Sequence, residues 1–429
     1  LWLNGVPVLR SMPAAQLATA RQSGSYPLVP FSNRLAHAAL QWQGTSHPLV
    51  RNNGDEPHAI HGVGWQRPWG VLDSADDFAL LSYEHRGDSS WPFAFDASQT
   101  FRVSPDALEC TLSVTNHSSL TATAKSHSGT ASNADAYATA SGVYQSAAAS
   151  VASADLYNDG SIAATASANA DAVSRADAAA RAIGAVQFAF GDAATLTVTN
   201  HGDLTAIATA NAFPQEVGAS AFAEAQGLVQ QALAGTIDMD LYNDGSIVAD
   251  AAAHAVNGGL YAYGRVNATG VNQFGQGGSG ELTVRNHGTI AATGELYASS
   301  TNESYHLEAY AIGLHQAGVS KGSNDLDLYN DGDITARVVL DATGGQDADS
   351  SSAFGFGAWQ LGYGAEAGLA VTNLGTISAD VDYRAYSTYG IARADAYGAG
   401  VVQYGDASGS NVLDLSNDGS ITATITAAR

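Results

Sequence analysis

One turn is written eight times along this chain, and it limits the possible folds more than any other feature. Asn116, Asn158, Asn200, Asn243, Asn286, Asn330, Asn373 and Asn417 recur at spacings of 42 to 44 residues. The first stands in Thr-Asn-His-Ser, the second in Tyr-Asn-Asp-Gly, and the later copies keep the Asn-x-Gly form. Each follows a short apolar run such as Leu196-Thr-Val198 and precedes an alternating stretch such as Ile-Ala-Ala-Thr-Ala-Ser-Ala from Ile162. A fixed period of this length marks a solenoid or array.

A second mark keeps the same register. Gly-x-x-Gln places Gln145, Gln187, Gln230, Gln273, Gln316, Gln360 and Gln403 at 29 or 30 residues after each Asn. Between the two marks the chain alternates with period two, with Ala134, Ala136, Ala138, Ala140 and Gly142 on one face and polar or aromatic residues on the other. That period means strand. Alanine runs also suit helices, but no apolar stripe at helical spacing runs through them. Each repeat therefore reads as one rung of three strands: a short one ending at Asn, a long one leaving the turn, and a long one running into Gly-x-x-Gln. Two rungs per repeat is the alternative. At about 4.8 Å per rung, eight rungs rise to roughly 35 Å. Inward Ala and Gly imply a thin core.

Stacked rungs turn each mark into a column. The Asn residues are expected to tolerate a left-handed turn and to bond their neighbours, and the Gln residues to form a self-satisfying amide ladder. The residue after Asn runs His117, Asp159, His201, Asp244, His287, Asp331, Leu374, Asp418, so stacking predicts His–Asp pairs between rungs.

Composition changes near residue 116. Nine of ten prolines and five of six tryptophans precede it, and residues 1–116 carry a net charge of -3 against -21 for 117–429. An acidic array excludes nucleic acid and anionic membranes as partners, since both require basic patches. No apolar run nears the roughly 18 residues of a membrane helix, so membrane insertion is excluded too. Asp325, Asp327, Asp331 and Asp333 read as a solvated acidic face rather than a calcium array, because the Gly-Gly-x-Gly-x-Asp repeat is lacking. Thr-x-Thr strings do not recur at one position, which argues against an ice-binding array. The single Cys110 excludes an intrachain disulfide framework. The chain starts at Leu1 with no signal-peptide pattern, which reads as a fragment or processed form.

Residues 1–116 read as antiparallel β structure, with strand-like runs between Pro/Gly turns. Three motifs stand out: Tyr26-Pro-Leu-Val-Pro-Phe-Ser-Asn-Arg34, Pro57-His-Ala-Ile-His-Gly-Val-Gly-Trp65, and Trp91-Pro-Phe-Ala-Phe-Asp-Ala-Ser-Gln-Thr-Phe101. In this order and spacing they resemble the N-terminal part of the aldose 1-epimerases, or galactose mutarotases. The resemblance implies part of a large antiparallel β-sandwich, and a family activity of opening and closing a hexose ring by acid–base catalysis. It places Asn33 and Arg34 among the residues that hold the sugar and His61 in the sugar site. The family continues into His-Pro-Tyr-Phe, whose His is the acid, and later supplies a Glu base. Neither follows here, so the three residues read as the remnant of a site, and no catalytic residue is assigned. His58 reads equally as a structural histidine, and Arg34 as the partner of a nearby carboxylate.

The wording Leu-x-Val-x-Asn-x-Gly-x-Ile-x-Ala of 117–429 is similar to the β-helical shafts of bacterial haemagglutinins and autotransporter passengers. The fold expected is thus all-β: a partial sandwich over 1–116 and a parallel β-solenoid of about eight 43-residue repeats over 117–429. The function expected is a non-enzymatic structural or adhesive solenoid, secreted or at a bacterial surface, self-associating through open rung edges and capped by its head. The alternative is a carbohydrate-binding or mutarotase head, an isomerase, on a solenoid stalk. No metal or cofactor is called for.

Overall fold

The computed structural model describes all residues except 1, 4–5, 8–11, 43–44, 105–107, 117–118, 257–259, 302, 345–350, 389–394 and 429. From Leu108 onward the chain climbs as a parallel solenoid. Asn158 pairs with Asn200, Asn200 with Asn243, and so on to Asn373 with Asn417, each one repeat later. One repeat therefore makes one rung.

A rung has four legs where the sequence suggested three strands. In one rung the first leg is Asp203–Pro214. The chain returns through Gly218–Asn243, a single strand whose pairing register skips Gly227 and Gly235. The remaining legs are thus residues 218–226, 228–234 and 236–243. The first two legs face one another through alanines: Ala206, Ala208, Ala210 and Ala212 against Ala219, Ala221, Ala223 and Ala225. Ala232, Ala234, Ile237 and Met239 fill the space between the last two. Leu204, Leu228 and Leu241 belong to the cluster where the first, third and fourth legs meet.

Gly227 does not end a strand. It switches the inward face from odd-numbered to even-numbered residues, from Ala225 to Leu228 and Gln230. A Cβ there would lie 2.6 Å from the Gly270 carbonyl oxygen of the next rung and 2.6 Å from Ile247 Cγ2. No side chain fits between them, which is why the Gly recurs with the Gln.

Both amide ladders are formed. Asn158 Nδ2 donates to Asn200 Oδ1 at 2.7 Å, and the same bond repeats upward to Asn417. Gln187 Nε2 donates downward to Gln145 Oε1 at 2.9 Å, and this column continues to Gln403. The Gln amides also donate across the core to fourth-leg carbonyls, as Gln187 does to Thr197 O at 2.9 Å. Asn158 to Asn373 and Gln187 to Gln360 are fully buried, so each amide depends on its neighbour for its bonds. Asn116 pairs with Asn158 along the backbone; its side chain lies outside the described residues. The left-handed turn is not found. Among the described residues, positive φ at non-glycine positions occurs at Asn33, His37, Ala38, His61 and His306. The ladder bond, rather than an unusual backbone, is what selects Asn.

The His–Asp pairs form with one polarity. His201 Nδ1 lies 2.6 Å from Asp244 Oδ1 and His287 Nδ1 lies 2.7 Å from Asp331 Oδ1. Tyr157, His201, Tyr242, His287 and Tyr329 alternate up the same edge with ring centroids 5.2 to 5.8 Å apart. His117 lies outside the described residues. Half-exposed pairs of this kind contribute at most about 1 kcal/mol each.

The head joins the solenoid through one shared strand. Gly70–Ala75, Phe78–His85, Phe95–Val103 and Leu108–Asn116 form an antiparallel meander. The free edge of Leu108–Asn116 then pairs in parallel with Val151–Asn158. Leu120 packs on both the head core around Trp91 and Phe95 and the solenoid core around Ile162.

The ladder gives a graded expectation. Gln230→Leu keeps volume but strands the amide oxygen of Gln187's column on one side and the Gln273 donor on the other. It is expected to cost about 2–6 kcal/mol, from roughly 1–3 per orphaned group. Gln403→Leu, at a half-exposed rung with one ladder neighbour, strands only Gln360 Oε1 and is expected to cost about 1–3 kcal/mol. Guanidinium unfolding of the two variants measures the difference.

Candidate functional site

In the head, the sequence motifs converge on one tight knot. Arg34 pairs with Ile60 and Leu35 with Ala59 in a two-residue antiparallel bridge. His61 N donates to Asn33 O at 2.9 Å. Asn33, Arg34 and His61, apart in sequence, are thus adjacent. Asn33 (φ 66°) and His61 (φ 60°) both hold left-handed backbone, and Gly62 follows at φ 66°. A Cβ on Gly62 would collide with the Val29 carbonyl. Such backbone persists only where the surroundings hold it. Asn52 does so: its Nδ2 donates to Ile60 O at 2.6 Å and Gly62 O at 2.9 Å, and its Oδ1 accepts from Ile60 N at 2.9 Å. Sequence reading missed Asn52, because nothing in its flanks marks a residue whose partners lie eight and ten positions away.

The electrostatics keep His61 neutral. Burial, then Arg21 and Arg34, hold its pKa below the ordinary imidazole range. Its Nδ1 is buried with no hydrogen-bond partner, and its ring meets Trp65 edge-on at 6.0 Å. Arg34 is largely exposed, with Nε 3.7 Å from Glu56 Oε1. His58 is structural, since its Nδ1 accepts from His37 N at 3.0 Å. A cavity of about 230 Å³ lies against the same segment, lined among the described residues by Phe31, Asn52, Gly62 and Arg67, and not by Asn33, Arg34 or His61. Asn33 and Arg34 are exposed, and His61 is half-buried beside them. A neutral His, a guanidinium and a backbone held in left-handed turns can position a hydroxyl-rich ligand.

On the solenoid, a second feature escaped the sequence. At the Gly bend, outward side chains become buried, with Ile183, Val186 and Val229 clustered there. Further up the same column Asn272, His315 and Trp359 stand in register. His315 Nδ1 lies 3.0 Å from Asn272 Oδ1, and burial lowers its pKa to about 4. Among the described residues no group of three His, Cys, Asp or Glu could hold a metal ion. Among them, too, no helix is long and apolar enough to cross a membrane.

Comparison with known proteins agrees with the head. Residues 2–130 match the aldose 1-epimerase family. An uncharacterized protein of Escherichia coli K12, YphB, is 37% identical over 115 residues, covering 27% of this chain and 38% of that protein. A solved Escherichia coli K12 chain described as a candidate aldose 1-epimerase is 36% identical, covering 27% of this chain and 38% of its own, with a TM-score of 0.24. The N-terminal region is mutarotase-like in sequence. The chain spans 38% of the length of the relative it matches.

His315 makes a pH prediction. Its folded pKa of about 4 lies below its unfolded value near 6.5. The folded state therefore holds the neutral ring, and the unfolded state binds the extra proton first. The stability it contributes is complete above pH 6.5 and falls as pH drops toward 4, by about 3 kcal/mol. His315→Gln is expected to flatten the unfolding free energy across that window relative to the parent, measured by guanidinium unfolding at pH 7, 5.5 and 4.5.

Proposed function

We propose that this chain is a non-enzymatic β-solenoid with a structural or adhesive role, secreted or held at a cell surface, and that its mutarotase-like segment acts as the cap of the first rung. The observation that carries the reading is Leu108–Asn116, antiparallel to Phe95–Val103 on one edge and parallel to Val151–Asn158 on the other. A solenoid's first rung otherwise leaves a row of unpaired N–H and C=O groups, and here the head strand covers the part of that row along Val151–Asn158. The edge through which a sandwich would continue is taken by the first rung. By the resemblance, the family's acid and base come from sequence beyond this segment, and proton transfer needs both within reach of the sugar.

The rung of Asp395–Asn417 and Ser420–Ala428 presents Leu413 and Ile425 half exposed. Its outer edge suits a further rung, either from following sequence or from a second copy of the chain. Self-association through that edge belongs to the same proposal. A second reading, a carbohydrate-binding head, is supported by the unpartnered Nδ1 of neutral His61 beside exposed Arg34.

One NMR experiment with galactose and glucose tests the proposal. Anomeric exchange is expected at the buffer rate; acceleration would overturn the non-enzymatic reading. Saturation transfer that is lost in Arg34→Ala would establish the second reading instead. The molar mass from light scattering is expected to rise with protein concentration, and to do so less in Leu413→Lys/Ile425→Lys.

A further inference from the structure

The second leg of the lower rungs carries an open trough on its outer face. Tyr137, Ala179 and Phe222 occupy one column in successive rungs. The two aromatic side chains thus stand two rungs apart, roughly 10 Å along the axis at about 4.8 Å per rung, with Ala179 as a floor between them. Two adjoining cavities, of about 580 and 350 Å³, share these three residues. The first extends to Arg175, Asp177, Ser220 and Tyr263, the second to Arg181, Glu224 and Asn267. Tyr137 is 68% and Phe222 45% exposed, an unusual display of aromatic surface.

The charges around the trough are matched. Arg175 lies 2.9 Å from Asp177, Arg181 3.3 Å from Glu224, and Arg265 3.6 Å from Glu308. Among the described residues that line the two cavities, no guanidinium is left over for an anion and no carboxylate for a cation. The chain's net charge of -24 further disfavours polyanions. The Ala179 and Phe222 rungs are hydrogen-bonded on both edges, so an extended peptide finds no edge to join inside the trough; the Tyr137 rung pairs with the Ala179 rung, and its other edge faces away from the trough. What remains is a ring of moderate thickness whose flat C–H faces pack on aromatic faces and whose hydroxyls meet fixed donors and acceptors along the rim.

We propose that this trough binds a neutral glycan, with a pyranose ring seated between Tyr137 and Phe222 over Ala179, and its hydroxyls on the Arg175–Asp177 and Arg181–Glu224 pairs. The proposal deepens the adhesive reading above and rests on it, while moving the recognition site from the head to the shaft. A self-associating shaft that binds no glycan would retain the structural reading and lose this one.

The test is surface plasmon resonance of the full chain over immobilised neutral glucan, mannan and galactan, with a polyuronate as the acidic comparator. Binding to at least one neutral polymer is expected, about tenfold weaker in Tyr137→Ala and in Phe222→Ala, as for aromatic anchors at other interfaces. Ala179→Trp, which fills the slot from an outward position, is expected to abolish it. Tyr397→Ala, remote from the trough, is expected to leave it unchanged. Circular dichroism melting confirms that each variant folds. Absence of neutral-glycan binding, equal binding of the polyuronate, binding that survives Ala179→Trp, or loss in Tyr397→Ala would each overturn the proposal.

Discussion

A buried amide whose oxygen accepts from a copy of itself one rung away governs this structure. Asn and Gln side chains carry both donor and acceptor, and the core offers no water. At each rung the acceptor of one amide meets the donor of the next, one repeat away. A register slip of one residue would point every amide out of its column and every inward alanine into solvent. The two columns therefore fix the register that the small, featureless alanines cannot. They also run with opposite polarity, Asn donating toward later rungs and Gln toward earlier ones, so their side-chain dipoles oppose rather than accumulate.

The remaining features follow from stacking at this register. With one rung per repeat, successive Gly residues such as Gly184 and Gly227 come too close for any Cβ. Alanine suffices inside because the first two legs lie face to face across a thin layer. Aromatic and charged residues are free to vary outside, which is where the trough over Ala179 and the Tyr–His column arise. The head shares this logic at one strand only. Leu-Ser-Val-Thr-Asn116 repeats the wording of Leu-Thr-Val-Thr-Asn200, so the same string can end an antiparallel meander and begin a parallel stack.

Much of the shaft was legible because its signals are periodic. Period-two alternation and two amide marks at constant spacing dictate stacked strands with each mark in a column, while the number of legs per rung is not written in the pattern. The bend at Gly227 was not legible, since a phase switch within a strand looks in sequence like an ordinary Gly. The backbone of the ladder Asn residues was misjudged because Asn before x-Gly is a common turn signal, and here a tertiary amide bond decides instead. The His–Asp alternation was visible, but its direction, His201 to Asp244, was not. In the head, the motifs identified Asn33, Arg34 and His61, whose adjacency depends on the Asn52 bridge that no local pattern reveals. The trough was invisible because it needs Tyr137, Ala179 and Phe222 from three different rungs.

The most direct measurement is the distance between spin labels at Tyr157→Cys and Thr372→Cys, with Cys110 replaced by Ser. These positions occupy one column five rungs apart. Pulsed electron paramagnetic resonance is expected to give a narrow distribution near 24 Å, from about 4.8 Å per rung. A distance near 48 Å, from two rungs per repeat at about the same rise, or a broad distribution without a peak, would contradict the account.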